Sequence, residues 1–288
     1  MKLRFWGVRG VHTSAGEAFL CYGGNTSALA IELPDTSAGK GLRLLLDFGT
    51  GAIGVGRELL GAGFGAGQGQ LAVLLTSTQL DHTGALPFFV PLFIPGNHIT
   101  VLGIGTDHQS PRQLLEDLLN PHYSPINSLA NFSANLDIRA VESGEVALAG
   151  LGPDQHISAL PLGGGPDTTL AWRVDAGGRS VALVGDAAWR SEAVQSAVLA
   201  WAHGVDVLIH NSAWIERLDP PVSGMCPKVQ SVVDFALACG AGKLVLTHHS
   251  PYSTDAHLDM LQKRLDQLGG LPVVVAHEGW TLDLAATT

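Results

Sequence analysis

The sequence predicts an α/β fold of mixed sheets covered by helices, and three observations lead there. Short runs of Leu, Val, Ile and Ala alternate with helix-length stretches along the chain. Polar or glycine-containing turns separate them. Thr169–Val174 and Ser180–Val184 flank Asp175-Ala176-Gly177-Gly178, a hairpin junction that requires some antiparallel pairing. The 288 residues are expected to form one domain, residues 1–288, and 46% apolar residues suffice for a large core.

In chain order the predicted strands are Leu3–Trp6, Ser27–Glu32, Leu42–Asp47, Leu71–Thr76, Ile99–Leu102, Asp137–Val141, Thr169–Val174, Ser180–Val184, Asp206–His210, Lys243–Thr247 and Leu271–Val275. Helices are expected over Ala52–Leu60, Pro111–Leu119, Glu192–Ala202, Pro227–Cys239 and Thr254–Leu268. Ser191 ahead of Glu192 is a candidate N-cap. Ser110 precedes Pro111 at the first helical position, where a missing N–H costs nothing. Gly61–Gly69 reads as a flexible loop; it follows a helix and not a strand, so it is no nucleotide-binding turn.

Charge and composition narrow the function classes. Net charge is -10 and no block of Lys or Arg occurs, which argues against non-specific binding to nucleic acid or anionic lipid. A small-molecule substrate or ligand, or a protein partner, fits better. No apolar run reaches the roughly 18 residues that span a bilayer. Met1–Trp6 reads as a first strand and not as a signal peptide, so a cytoplasmic location is expected. Cys21, Cys226 and Cys239 are odd in number and irregularly spaced, and imply no disulfide framework.

One pattern goes beyond packing: several apolar strands run into Asp or His. Leu44–Leu46 meets Asp47; Leu71–Thr76 leads to Asp81-His82; Val181–Val184 leads to Gly185-Asp186; Val207–Ile209 meets His210; Leu244–Thr247 meets His248-His249. Ligands of α/β proteins bind at the carboxyl ends of strands, and Asp and His are metal-ligand types. A single such residue is ordinarily a helix cap or a hydrogen-bonded core group; the recurrence is what points to a site.

The segment Thr76-Ser77-Thr78-Gln79-Leu80-Asp81-His82-Thr83-Gly84-Ala85-Leu86-Pro87-Phe88-Phe89 resembles the metal loop of the metallo-β-lactamase superfamily, His-x-His-x-Asp-His followed by Gly, Leu, Pro and Phe. Phe5–Gly10, Tyr22–Ser27 and Leu46–Gly51 resemble the opening segments of its phosphodiesterase-like and ribonuclease Z-like members. Gly185-Asp186, Leu208–His210 and Leu246–His249 follow in the family's order, so the likeness covers nearly the whole chain. The resemblance implies a four-layer αββα sandwich with a metal centre at one edge between the sheets. It also implies a homodimer as one arrangement.

The departures concern the metals. The family's first site takes both His of His-x-His, which are Ser77 and Gln79 here, and a third His that should lie in Leu162–Gly165, which holds none. A Gly-His-Ser element, offered in the family as general acid, aligns with Gly224-Met225-Cys226 and also lacks its His. The second site's ligands match Asp81, His82, Asp186 and His248. One reading is therefore a mononuclear hydrolase holding one divalent ion, Zn, Fe or Mn, and acting on a phosphodiester or other ester-like anion. Four protein ligands would close a tetrahedral site, so catalysis requires a higher coordination number, or Asp81 serving as catalytic base instead of ligand. The other reading is a pseudoenzyme without chemistry, with or without a metal, serving as a ligand-binding or protein-interaction module. Asp47 is expected to order loops through backbone N–H groups, His210 to be a core or supporting residue, His249 to be either a supporting or solvent-facing neighbour or a ligand, and His156 to be a satisfied polar group that could be recruited as a ligand. A Ser77 or Cys226 nucleophile lacks the Gly-x-Ser-x-Gly context.

Overall fold

Leu44, Leu45 and Leu46 are consecutive and all buried, which a strand permits only if both faces of its sheet are covered. That is the arrangement of the central strands in the computed structural model, which describes residues 1–36, 39–163, 168–213 and 227–285; the edge strands are more exposed. The strands are β1 (Lys2–Gly7), β2 (Ala28–Glu32), β3 (Arg43–Leu46), β4 (Gln70–Leu74), β5 (His98–Gly103), β6 (Asn135–Ala140), β7 (Gly144–Glu145), β8 (Gln155–Leu162), β9 (Thr169–Ala176), β10 (Arg179–Val184), β11 (Val207–Asn211), β12 (Lys243–Thr247), β13 (Val273–Val275) and β14 (Thr281–Asp283). The helices are α1 (Ala52–Leu60), α2 (Leu80–Thr83), α3 (Pro111–Asp117), α4 (Glu192–Trp201), α5 (Val229–Ala238) and α6 (Asp255–Leu268). Ser191 caps α4 by accepting the Val194 N–H, and Ser110 forms a capping box with Gln113.

Two mixed seven-stranded sheets result, ordered β14-β1-β2-β3-β4-β5-β6 and β13-β12-β11-β10-β9-β8-β7. In the first, β3 to β6 are parallel; in the second, β10 to β13 are parallel, and the predicted β9–β10 hairpin is antiparallel. Three apolar seams separate four layers. Leu3, Leu44 and Leu74 of one sheet face Trp172, Val181 and Ile209 of the other. Leu45, Val73 and Val101 face α1 and α3 on one outside, and Ala182, Leu208 and Leu244 face α4, α5 and α6 on the other. The αββα sandwich expected from the resemblance is thus observed. The strands missed from sequence are β7, β8 and β14, and the helix missed is α2.

The sheets are joined at the edge where β4 and β12 end. Trp172 Nε1 on β9 donates to Leu75 O at 2.9 Å, and Leu170 N donates to Thr76 O at 2.8 Å. His249 N donates to Val8 O at 2.7 Å, and Gly10 N to His249 O at 2.9 Å. These bonds aim the loops after β4 and β12 at each other. Among the described residues no helix is long and apolar enough to cross a membrane.

Replacing Trp172 by Phe keeps most of the apolar volume but leaves the Leu75 carbonyl buried without its donor. Unfolding free energy is expected to fall by about 2 kcal/mol, within the cost of an unpaired buried group. Urea melts should show a lower midpoint with an unchanged slope.

Candidate metal centre

The site is built outward from Asp47, the residue after β3. Its carboxylate is almost wholly buried. It accepts the Ser27 hydroxyl at 2.8 Å, the Thr76 N–H at 2.8 Å and the Thr76 hydroxyl at 2.9 to 3.0 Å. It also accepts His82 Nδ1–H at 2.8 Å. Asp47 therefore orders the loop, as expected, and in addition fixes the tautomer and plane of His82, so that its Nε2 points away from the carboxylate.

His82 and Asp81 sit on the single turn of α2, both buried. Asp81 Oδ2 accepts the Val11 N–H at 2.7 Å and lies 2.9 Å from His248 Nε2 and 3.4 Å from His82 Nε2. The two imidazoles stack with centroids 5.0 Å apart, and their Nε2 atoms are separated by 3.2 Å. His248 reaches this position from the end of β12 with φ of 55°. It packs against Gly10, where any Cβ would stand 2.3 Å from the ring. Among the described residues the non-glycine positions with positive φ are Val11, Asp47 and His248, and all of them belong to this site.

Electrostatics follow from that packing. Burial opposes the charge on Asp81, but the His248 and Val11 bonds and the nearby imidazoles hold it well below the usual carboxylate range. Burial likewise opposes protonation of His82, yet the charge and hydrogen bond of Asp47, with Asp81 and Asp186, push its pKa up to about 9. Two facing Nε2 atoms and a carboxylate oxygen leave room for one electrophile between them, a proton or a metal ion. Asp81, His82 and His248 each place a donor atom within 4.8 Å of the others and could hold a metal.

Asp186, predicted as a fourth ligand, follows β10 and lines the same cavity of about 370 Å³, but does not fall within that close trio. Its Oδ1 is buried without a partner, and burial raises its pKa. An unsatisfied carboxylate oxygen beside two imidazoles and an ionised carboxylate suits a cation. Ser77 and Gln79 line the cavity too, and Ser77 Oγ accepts the Gln79 N–H at 3.1 Å.

The remaining candidates turn elsewhere. His210 is fully buried, receives Trp189 Nε1–H at 3.0 Å, and donates Nδ1–H to Asn211 O; burial lowers its pKa. His249 is braced between Ser212 and Ala276 O, and burial lowers its pKa to about 3, so it is neutral. His156 stands on the exposed side of β8 against Glu145 and cannot reach the site. Gly164-Gly165 and Gly224-Met225-Cys226 lie outside the described residues. Sequence reasoning missed Arg190 and Thr169, both on the cavity, and the Val11 N–H.

The profile of the Beta-lactamase superfamily domain matches residues 66–249, well over half of the chain. The chain belongs to the β-lactamase superfamily. No curated protein sequence matches. Among solved structures it is similar to the metallo-β-lactamase fold protein YhfI from Bacillus subtilis, with 17% identity over 98% of this chain and 99% of that one and a TM-score of 0.66. It is also similar to a diphosphatase from the PhnP family, at 14% identity, 99% and 98% coverage and TM-score 0.63. Zn(2+)-bound PqqB from Methylobacterium extorquens shows 15% identity, 99% and 100% coverage and TM-score 0.63. At these identities the likeness establishes the superfamily's fold.

Asp47→Asn retains a residue type that tolerates positive φ but removes the charge behind His82. Metal affinity is expected to fall roughly 10- to 100-fold, the usual effect of losing such a support. Competition against a chromogenic chelator measures it.

Proposed function

We propose that the protein is a hydrolase with one divalent metal ion, acting on a phosphodiester or another ester-like small anion. The observation that carries this reading is the convergence of Asp81 Oδ2, His82 Nε2 and His248 Nε2 on the wall of a cavity that Asp186 also lines. A zinc, iron or manganese ion held there would supply a bound water of pKa near 7 and polarise the scissile group. The chain's own residues do the rest. Asp47 keeps His82 in the ligating tautomer. Asp81 serves better as a ligand than as a base, because a carboxylate held so firmly ionised has little affinity for a proton. Asp186, outside the close trio, would be a further residue able to hold the ion, and three close donors would leave it open to water and substrate. The diphosphatase and the zinc-bound protein among the structural neighbours support this class of chemistry. The net charge of -10 supports a small-molecule substrate over nucleic acid, in a cytoplasmic protein.

A second reading rests on a specific observation. Asp81 and His248 hydrogen-bond each other directly at 2.9 Å, so the cluster is partly self-satisfied and could persist in a binding module without chemistry.

Metal analysis of protein purified without added metal should give close to one ion per chain. His82→Ala and His248→Ala should each abolish it. The loaded protein should turn over a chromogenic phosphodiester with one of Zn, Fe or Mn, and both variants should reduce that rate at least 100-fold. A metal-loaded protein inert with all of them would select the binding module.

A further inference from the structure

We infer that the Arg190 wall of the cavity is an oxyanion subsite that takes a phosphoryl group of the substrate. Asp186 opens one short turn, Asp186–Trp189, and Arg190 follows it; both line the cavity that holds Asp81, His82 and His248. The Arg190 guanidinium packs directly on Gly163. A Cβ at that glycine would stand 2.3 Å from Nη1, and its φ of 99° also favours glycine. Gly163 lies in the turn where the family pattern expects the third histidine of the first metal site, so a guanidinium occupies space that a longer side chain would claim. Two hydroxyls share the cavity: Ser77, and Thr169, whose Oγ1 is buried without a hydrogen-bond partner.

The chemistry of this set differs from that of a metal site. A guanidinium has no lone pair to offer a cation, but its planar fork matches two oxygens of a phosphate. Hydroxyls donate to the same oxygens. Positive charge thus lines the same cavity as Ser77 and Gln79, which stand at the two histidine positions of the family's loop pattern. The metal would bind one side of the phosphoryl group and Arg190 the other. The subsite rests on the proposed function for the metal half only.

The test is calorimetric titration with inorganic phosphate, on chelator-stripped and on zinc-reloaded protein, with zinc content measured in parallel. Arg190→Gln should weaken phosphate binding at least 10-fold in both forms and leave zinc content unchanged. Arg190→Lys, which keeps the charge but not the fork, should fall between. Gly163→Ala should reproduce the Arg190→Gln loss by displacing the guanidinium, with circular dichroism confirming the fold. His248→Ala should lose zinc yet keep the Arg190-dependent phosphate binding of the stripped form. Wild-type zinc content near zero with that dependence intact would sink the metal reading while supporting the subsite. The subsite is overturned by Arg190→Gln binding phosphate as wild type does, by wild type failing to bind phosphate, or by acetate binding more tightly than phosphate.

Discussion

A single buried carboxylate holds the functional edge of this molecule together. Asp47 binds the Ser27 hydroxyl just before β2, the backbone and side chain of Thr76 just after β4, and His82 on α2. Three adjacent strands of one sheet and the α2 turn therefore share one anchor. Its backbone lies in the left-handed region, at φ of 66°, a conformation that costs about 1–3 kcal/mol outside glycine. Hydrogen bonds to a charged group contribute about 1.5–3 kcal/mol each, so the anchor's bonds more than offset that cost. The same logic extends to Val11 and His248, the other non-glycine residues of positive φ among those described. Val11 is β-branched and still adopts it, because its N–H then reaches Asp81.

Much of the fold was legible in the sequence, for physical reasons that also explain the gaps. Parallel strands buried on both faces read as continuous apolar runs, and β3, β4, β10, β11 and β12 were placed within about two residues. The short elements β7 and β14 carry too few residues to show a period. Strand β8 alternates clearly at Gln155–Ser158, but Pro161 near its end and the glycines beyond obscured its extent. The turn α2 is four residues long and is held by tertiary bonds, notably Phe48 N to His82 O at 2.7 Å, so no helical period marks it.

The site divided along a similar line. Asp81, His82, Asp186 and His248 could be read because each follows a strand, and parallel strands bring their carboxyl ends to one edge. What could not be read are contacts that depend on backbone placed by distant segments. Val11 and Asp81 are 70 residues apart. The Arg190 guanidinium meets Gly163 through the packing of a turn on a strand end, and no periodicity announces it. His156 and His249 show the reverse. Both are ligand types near suggestive sequence, and geometry assigns one to an exposed ion pair with Glu145 and the other to a neutral brace against Ala276 O.

The distribution of support within the site argues for a working half and against a remnant. Among the described residues the three non-glycine positions of positive φ, Val11, Asp47 and His248, all belong to the cluster of Asp81, His82 and His248 and its supports. Asp47 and Thr76 contact His82, the Val11 N–H binds Asp81, and Gly10 packs on His248. A cluster without a ligand would gain little from this. It would leave Asp186 Oδ1 buried and unpaired, at about 1–3 kcal/mol. It would also hold two imidazole Nε2 atoms at 3.2 Å with one shared proton between them. A cation would accept both Nε2 lone pairs and pair Asp186 Oδ1, whose carboxylate otherwise has the Asn211 side chain as a protein partner. The loss of the other histidines then has a different meaning. On the subsite proposed for Arg190, the guanidinium beside Gly163 gives that part of the cavity a cationic fork suited to the anionic end of a substrate.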